Sequence, residues 1–280
     1  MYIRRSRESP DFFGVIKKVP GVFMSVSIKD IIADADYVLI GIGEEFNSMK
    51  TLREDEQYEV VRSALEEESK AHMVPAWNRI VLQRCENRAR QALERLVELV
   101  KDKNYFVVSV CTNGIEQEVG FDLSRVVSPC GNPLQVQCAE RCGSEVRAVG
   151  ENEWGLIMEA LSSGDVSKAS IGICSSCGAP LAFNSVYTEK YDESGYLPMW
   201  EEYTKWLQKT LNRKICVLEL GVGLTYPSVI RWPFEKIGFF NQKASFVRVH
   251  EMLYQLSEDL KDKGISVEQN SIDWLLAEDL

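Results

Sequence analysis

Histidine is what this sequence has least of. Its 280 residues hold only His72 and His250, against eight cysteines, which limits the acid–base chemistry open to it. Long apolar runs are also missing: none approaches the ~20 residues that cross a bilayer, so no membrane association is expected. Positive charge is short as well. With 32 Lys+Arg against 42 Asp+Glu the net charge is −10, and most of such a surface repels a phosphate backbone, so nucleic-acid binding is not expected. The one basic stretch is local, at Arg4, Arg5, Arg7, Lys17 and Lys18. Residues 21–28 mimic the apolar part of a signal peptide, but Lys29 and Asp30 break the run early. A cytoplasmic protein is expected, in which thiols stay reduced and paired cysteines act as metal ligands or as small buried side chains.

What is present suffices for a substantial core: 45% of the residues are hydrophobic and 10% aromatic, which excludes disorder. Four short β-branched and apolar segments, 37–43, 105–111, 215–221 and 246–250, are bounded by Gly or polar turns. Such segments suit strands buried on both faces of a parallel sheet. Between the first two, Leu82, Cys85, Ala89, Ala92, Leu96 and Val100 recur at helical spacing and predict one helix over roughly 76–101. Its other face, with Arg79, Arg84, Glu86, Arg88, Arg90 and Glu94, reads as solvated. Strand, helix and strand in this order imply an α/β fold, a Rossmann-like parallel sheet with helices on both faces. From about residue 136 the cysteines cluster and the apolar runs shorten, which marks a small insert. The expected layout is a discontinuous Rossmann-like domain at 25–135 and 212–280, a zinc-binding small domain at 136–211, and an N-terminal extension at 1–24. Trp200, Tyr203, Trp206, Leu207 and Leu211 predict an amphipathic helix. Two more helices are expected after His250, the carboxylate-rich C-terminal stretch forming a solvated surface.

The strongest local signal is Cys138-Ala-Glu-Arg-Cys142 followed by Cys174-Ser-Ser-Cys177. Two close pairs can aim four thiolates at one tetrahedral Zn²⁺, with Gly143 and Gly178 supplying the tight turns that follow each pair; the competing reading is four unrelated thiols. A site filled by four sulfurs is structural, not catalytic. Val38-Leu-Ile-Gly41-Ile-Gly43 runs a buried strand into a Gly-x-Gly turn, as nucleotide-binding α/β folds do. Glu44 and Glu45 follow, however, putting two negative charges where phosphate oxygens approach, and the same turn fits a sheet that binds nothing there. Cys111-Thr112-Asn113-Gly114 and Leu218-Glu-Leu-Gly221-Val-Gly223 end two further strands. Ligands of open α/β sheets sit beyond such carboxyl ends, so one shared cleft is expected.

Taken in order, these elements resemble the sirtuins, and among them the macrodomain-linked class M group. The likeness rests on Thr112-Asn113, Gln137-Cys138 with three residues before Cys142, Cys174-Ser-Ser-Cys177-Gly-Ala-Pro, and the run from Leu218 through Gly223-Leu-Thr-Tyr-Pro227 to Ile230-Arg-Trp-Pro233-Phe234. It spans about residues 30 to 255. It implies NAD held between the sheet and a small zinc module. Gly41 and Gly43 would lie in the phosphate turn, Thr112 and Asn113 at the ribose and nicotinamide end, and Gly221 and Gly223 beside the adenosine. It also implies transfer of ADP-ribose to an acyl-lysine or to a protein acceptor, with a lipoylated carrier or a macrodomain as partner.

Three departures from the family stand beside these matches. Where deacylating sirtuins carry a His before a Gly, this chain reads Pro129-Cys130-Gly131. Class M members usually have Gln there, so Cys130 is the residue at the catalytic position; a thiol with an ordinary pKa of about 8.5 is a poor base, and the plain reading is a small buried residue. The acidic residue expected after the Asn strand end is displaced, with Ile115 in its place and Glu116 one further on. The polar segment that ordinarily contacts NAD is replaced by Glu44-Glu45-Phe46-Asn47-Ser48, of which Asn47 and Ser48 remain candidates. The expected activity is ADP-ribosyl transfer from NAD, with Asn113 and Cys130 at the catalytic position. The alternative is an inactive sirtuin scaffold that binds a nucleotide or a protein.

Overall fold

The computed structural model describes residues 16–19, 22–25, 27–85 and 87–277. Arg4, Arg5 and Arg7, most of the expected extension 1–24, Glu86, and the terminal Glu278 and Asp279 lie outside them. The chain begins with an antiparallel hairpin, β1 (Ile16–Val19) and β2 (Val22–Ser25), followed by helix α1 (Ile28–Asp34), which Ser27 caps by accepting from Lys29 N–H. Strand β3 (Tyr37–Ile42) leads through a 3₁₀ turn (Glu44–Asn47) into helices α2 (Met49–Leu52), α3 (Tyr58–Glu67), α4 (Val74–Arg84) and α5 (Arg88–Val100). Then come β4 (Asn104–Ser109), β5 (Val126–Val127), β6 (Gly131–Cys138), β7 (Arg147–Ala148), α6 (Glu151–Ser162), β8 (Leu181–Ser185) and α7 (Leu197–Gln208). The chain closes with β9 (Ile215–Leu220), α8 (Arg231–Phe240), β10 (Ala244–Val249), β11 (Gly264–Val267) and α9 (Ser271–Leu276).

Six strands form one parallel sheet in the order β11-β10-β9-β3-β4-β5. Their alternating side chains feed two cores. Val38, Ile40, Val107, Cys216, Leu218 and Val247 pack against α1, α5 and α9. Leu39, Phe106, Val108, Val217 and Phe246 face Tyr203 and Trp206 of α7 and Phe234 of α8. Both faces are thus covered, as a continuously apolar parallel strand requires. The α/β architecture and all four expected sheet strands are present. A second, three-stranded antiparallel sheet, β7-β6-β8, belongs to a third core. That core takes Leu52, Tyr58, Val61 and Trp77 from α2–α4 and Val136, Ile157 and Phe183 from the later segment. Chain from both sides of the expected boundary at 136 therefore shares it, while α7, drawn inside the insert, packs on the main sheet.

Three expectations are corrected. The helix predicted over 76–101 is two helices, broken at Cys85, whose backbone is extended, and restarted where the Asn87 side chain accepts from Arg90 N–H. The single apolar stripe joined residues of different cores: Leu82 belongs with the antiparallel sheet, and Ala89, Ala92, Leu96 and Val100 with the parallel one. After His250 the chain forms the edge strand β11 and only then α9, so the last segment is one strand and one helix. Its Ile272, Trp274 and Leu275 are buried, because α9 seats on α5 instead of facing solvent on all sides.

Beneath the sheet's carboxyl edge lies a buried ionic knot. Glu219 of β9, fully buried, takes a two-pronged bond from Arg248 of β10 at 2.7 and 3.0 Å. Arg248 also reaches Glu235 of α8 at 2.8 Å, and Arg231 at the start of α8 stands 3.4 Å from Glu219. The 218–234 run therefore owes its charged members to the clamping of α8 onto the sheet.

Candidate functional site

The carboxyl ends of β3, β4 and β9 are neighbours in the sheet, so the three turns singled out in the sequence meet at one edge. The 44–47 turn is gripped from both sides. Asn113 Nδ2 donates to Phe46 O (3.2 Å) and its Oδ1 accepts from Ile115 N–H (2.9 Å), while Thr112 N–H donates to Asn47 Oδ1 (3.2 Å). Asn113 and Thr112 are both buried, and Ser48, at φ 53°, starts α2 from the left-handed region. The glycines are explained by crowding. A Cβ on Gly41 would stand 2.6 Å from Ile230 and 2.8 Å from Phe234, and one on Gly43 would stand 2.1 Å from Gly221 O. Gly221 has φ +61° with Glu45 Cβ only 2.6 Å from where its own Cβ would be.

The two acidic residues do not project into open space. Glu44 accepts from Gly223 N–H (2.6 Å) and Thr225 N–H (3.3 Å). Glu45 accepts from Glu251 N–H (2.9 Å) and Ser271 N–H (2.7 Å), tying the chain after β10 and the start of α9 to the turn. His250 directly follows β10 beside them, so the fold brings one of the two histidines to the crevice edge. Its Nδ1 is 3.3 Å from Glu45 Oε1, yet that nitrogen accepts from Met252 N–H (3.0 Å) and Leu253 N–H (3.1 Å). An accepting Nδ1 carries no proton, so we read the contact as neutral, and burial holds the imidazole below its ordinary pKa. With that lone pair shared between two amides and burial opposing its protonation, His250 is a poor base.

Cys130 is 2% exposed, and burial, with Glu44 and Glu116 nearby, pushes its thiol up to about 12. A thiolate is therefore inaccessible there at neutral pH, which matches the plain reading of this residue. Cys111 and Cys216 are also buried, each with its thiol raised by burial. Glu116 is fully buried: its Oε1 accepts from Ser128 Oγ (2.7 Å), and Oε2 has no partner among the described residues. Burial raises its pKa and favours the protonated acid.

Arg79 is the residue the sequence reading missed. Assigned to a solvated face, it is 5% exposed, and its Nη1 donates to Asn113 O (3.0 Å) and Gly114 O (3.2 Å) while Nη2 pairs with Glu118. The guanidinium thereby holds the 113–118 loop from behind. One signal was available: Val74 to Leu82 is apolar nearly all round, so a helix face for solvent does not exist there. A 370 Å³ cavity between α4, α5 and this loop is lined by Arg79, Cys85, Asn87, Arg90, Asn113 and Glu118.

The four paired cysteines converge. Their Sγ atoms all lie within 4.8 Å of one another, with Cys138 and Cys177 3.5 Å apart and Cys142 and Cys174 3.7 Å apart. Bonds of about 2.3 Å to a tetrahedral zinc require sulfurs about 3.8 Å apart, so the donor set fits that ion. Each knuckle is built locally. Gly178 N–H donates to Cys174 O (2.8 Å), and Gly143 and Gly178 both adopt left-handed backbone, at φ +88° and +76°.

This fold recurs in solved structures. A Sir2 complex with a peptide and NAD⁺ matches with TM-score 0.53 at 14% identity over 88% of this chain and 93% of the other. A structure from work on sirtuin substrate affinity gives TM-score 0.53 at 15% identity over 88% and 94%. The chain has the sirtuin fold. No family model matches this sirtuin-like sequence. Two curated relatives do: a protein ADP-ribosyltransferase of Staphylococcus aureus, 20% identical over 64% of this chain and 58% of its own, and a probable bifunctional ADP-ribose hydrolase/ADP-ribosyltransferase of Fusarium oxysporum, 25% identical over 47% of this chain and 23% of its own. The sirtuin-like chain thus matches little more than half of the first and about a quarter of the second. No helix among the described residues is long and apolar enough to cross a membrane.

Proposed function

We propose that this protein is a sirtuin-like ADP-ribosyl transfer protein, not a lysine deacylase, with a structural zinc in its second lobe and a dinucleotide site at the sheet crevice. The observation that carries this reading is the convergence of Gly43, Thr112-Asn113 and Gly221–Gly223 on one turn, with amides that already hold an anion, the Glu44 carboxylate. The names of the two curated relatives support it. NAD, when bound, would supply the bond between nicotinamide and ribose, whose cleavage needs positioning and electrostatics more than a strong base. Gly221 and Gly223 would serve the adenosine side, Asn47 and Ser48 the polar segment, and Thr112 and Asn113 the ribose end.

Deacylation is disfavoured by the residues at hand. Cys130 is held neutral, His250 has spent its accepting nitrogen on two amides, and His72 accepts from Phe183 N–H in the other lobe. The acceptor in this reading is a protein, with a lipoylated carrier or a macrodomain as the partners the family suggests. Incubation with labelled NAD and a cell extract is the test: label is expected on protein, and its absence from every protein overturns transfer. Asn113→Ala should abolish transfer at unchanged zinc content, and loss of zinc in that variant would show Asn113 to be a structural residue.

A second reading, a scaffold that binds ADP-ribose or a partner without turnover, is favoured by one observation: Glu44 fills the Gly223 and Thr225 amides. Calorimetric heat with ADP-ribose but no protein labelling selects it. No heat at millimolar NAD or ADP-ribose sinks both readings.

A further inference from the structure

Glu44 opens the turn after β3 and reaches across to the loop after β9. There its two carboxylate oxygens take different amides, Oε2 from Gly223 (2.6 Å) and Oε1 from Thr225 (3.3 Å). Backbone N–H groups aimed at one point from a loop form a nest that holds an anion. The side chain is stationed closely: a Cβ on Gly223 would stand 3.1 Å from both of its oxygens. The turn itself is fixed by Gly43, packed against Gly221 O, by Glu45 N–H donating to Gly221 O (3.2 Å), and by the Asn113 bond to Phe46 O. Arg231 steadies the β9 loop from the other side by donating to Val222 O (3.1 Å), and Arg248 is committed to Glu219 and Glu235. An anionic ligand approaching these amides therefore finds the donors filled and a negative charge beside them.

We infer that Glu44 is an internal competitor for the crevice: its carboxylate occupies the Gly223 and Thr225 amides as a stand-in for the phosphate that adjoins the ligand's adenosine, and a phosphate-bearing ligand binds only by displacing it. This inference rests on reading the crevice as a dinucleotide site, and it makes Glu44 a residue that sets affinity, not one that reacts. Removing the carboxylate frees the donors and deletes the repulsion, so binding strengthens.

Calorimetry of the full chain with ADP-ribose, and separately with inorganic pyrophosphate, tests this in the wild type, Glu44→Ala, Glu44→Gln and Glu258→Ala. Glu258 is exposed and removes the same charge elsewhere. Glu44→Ala should bind ADP-ribose at least about tenfold more tightly than the wild type, the scale of one charge-assisted hydrogen bond. Glu44→Gln, which keeps the shape of the turn, should fall between them, and Glu258→Ala should match the wild type. Unchanged or weaker binding of both ADP-ribose and pyrophosphate in a folded Glu44→Ala or Glu44→Gln overturns the competitor role. An equal gain in Glu258→Ala overturns it too, because overall charge would then account for the effect. If the Glu44 variants gain pyrophosphate affinity but ADP-ribose binds no better than pyrophosphate, Glu44 is the competitor and the dinucleotide reading fails. If the wild type labels protein from NAD while Glu44→Ala weakens ADP-ribose, the dinucleotide reading stands and the competitor fails.

Discussion

The cysteine knuckles and the strand-end crevice are both built from glycine turns, but they need glycine for opposite reasons. Gly143 and Gly178 sit at positive φ with nothing within 4 Å of where a Cβ would be, so the local backbone alone demands them. Gly41 and Gly43 have no such conformation, and it is Ile230, Phe234 and the Gly221 carbonyl that leave them no room. One region is written in two short turns and closes around a metal-sized gap. The other is assembled from three strand ends and closes around its own carboxylate. A short motif therefore states chemistry reliably when its geometry is local, and ambiguously when distant segments supply the neighbours.

Breaking the knuckles should have the largest effect. Structural zinc contributes on the order of 10 kcal/mol to small domains, so Cys174→Ser is expected to lose the metal and unfold the second lobe, read by elemental analysis and near-UV circular dichroism. A metal-free wild type that melts at the same temperature as the purified protein would count against the site. Next comes the clamp beneath the crevice. Arg248→Met removes the two-pronged partner of buried Glu219, leaving Arg231 at 3.4 Å as its remaining cation, and should cost about 3 kcal/mol in denaturant titration, with zinc content unchanged.

Acid probes the second lobe through His72. Burial, with Lys70 nearby, lowers its pKa to about 4, below an unfolded value of about 6.5. The neutral form is thus favoured by folding, so its stabilisation is complete above about pH 6.5 and is lost as pH falls toward 4. The loss amounts to about 3 kcal/mol, and His72→Gln should flatten it in melts across that range. The smallest effect sharpens the glycine contrast. Gly43→Ala forces backbone apart and should cost about 1–3 kcal/mol, whereas Gly143→Ala meets only the left-handed strain of about 1–2 kcal/mol. Equal thermal shifts in the two variants would erase the distinction.

The sheet was legible because strands buried on both faces are dominated by apolar residues, and Val38–Ile42, Phe106–Val108 and Cys216–Leu218 supply such stretches. The four cysteines were legible because each pair is held within one turn. The helix over 76–101 was misjudged because Leu82 and Ala89 continue one periodicity while pointing into different cores, and only the cap at Asn87 separates them. Arg79 was misjudged because its charge suggested solvent, whereas the backbone carbonyls of Asn113 and Gly114, 34 and 35 residues away, supply the partners that make its burial tolerable.

By itself the sequence determined the parallel α/β sheet, the cysteine knuckles and the lack of a histidine at the position of the family's base, since each depends on residue type at short range. The tertiary structure alone decided that Arg79 is buried behind the 113–118 loop, that His250 stands at the crevice, and that Glu44 sits on the amides of Gly223 and Thr225. The amides that hold Glu44 lie 179 and 181 positions away in the chain, and no local pattern encodes such a partnership.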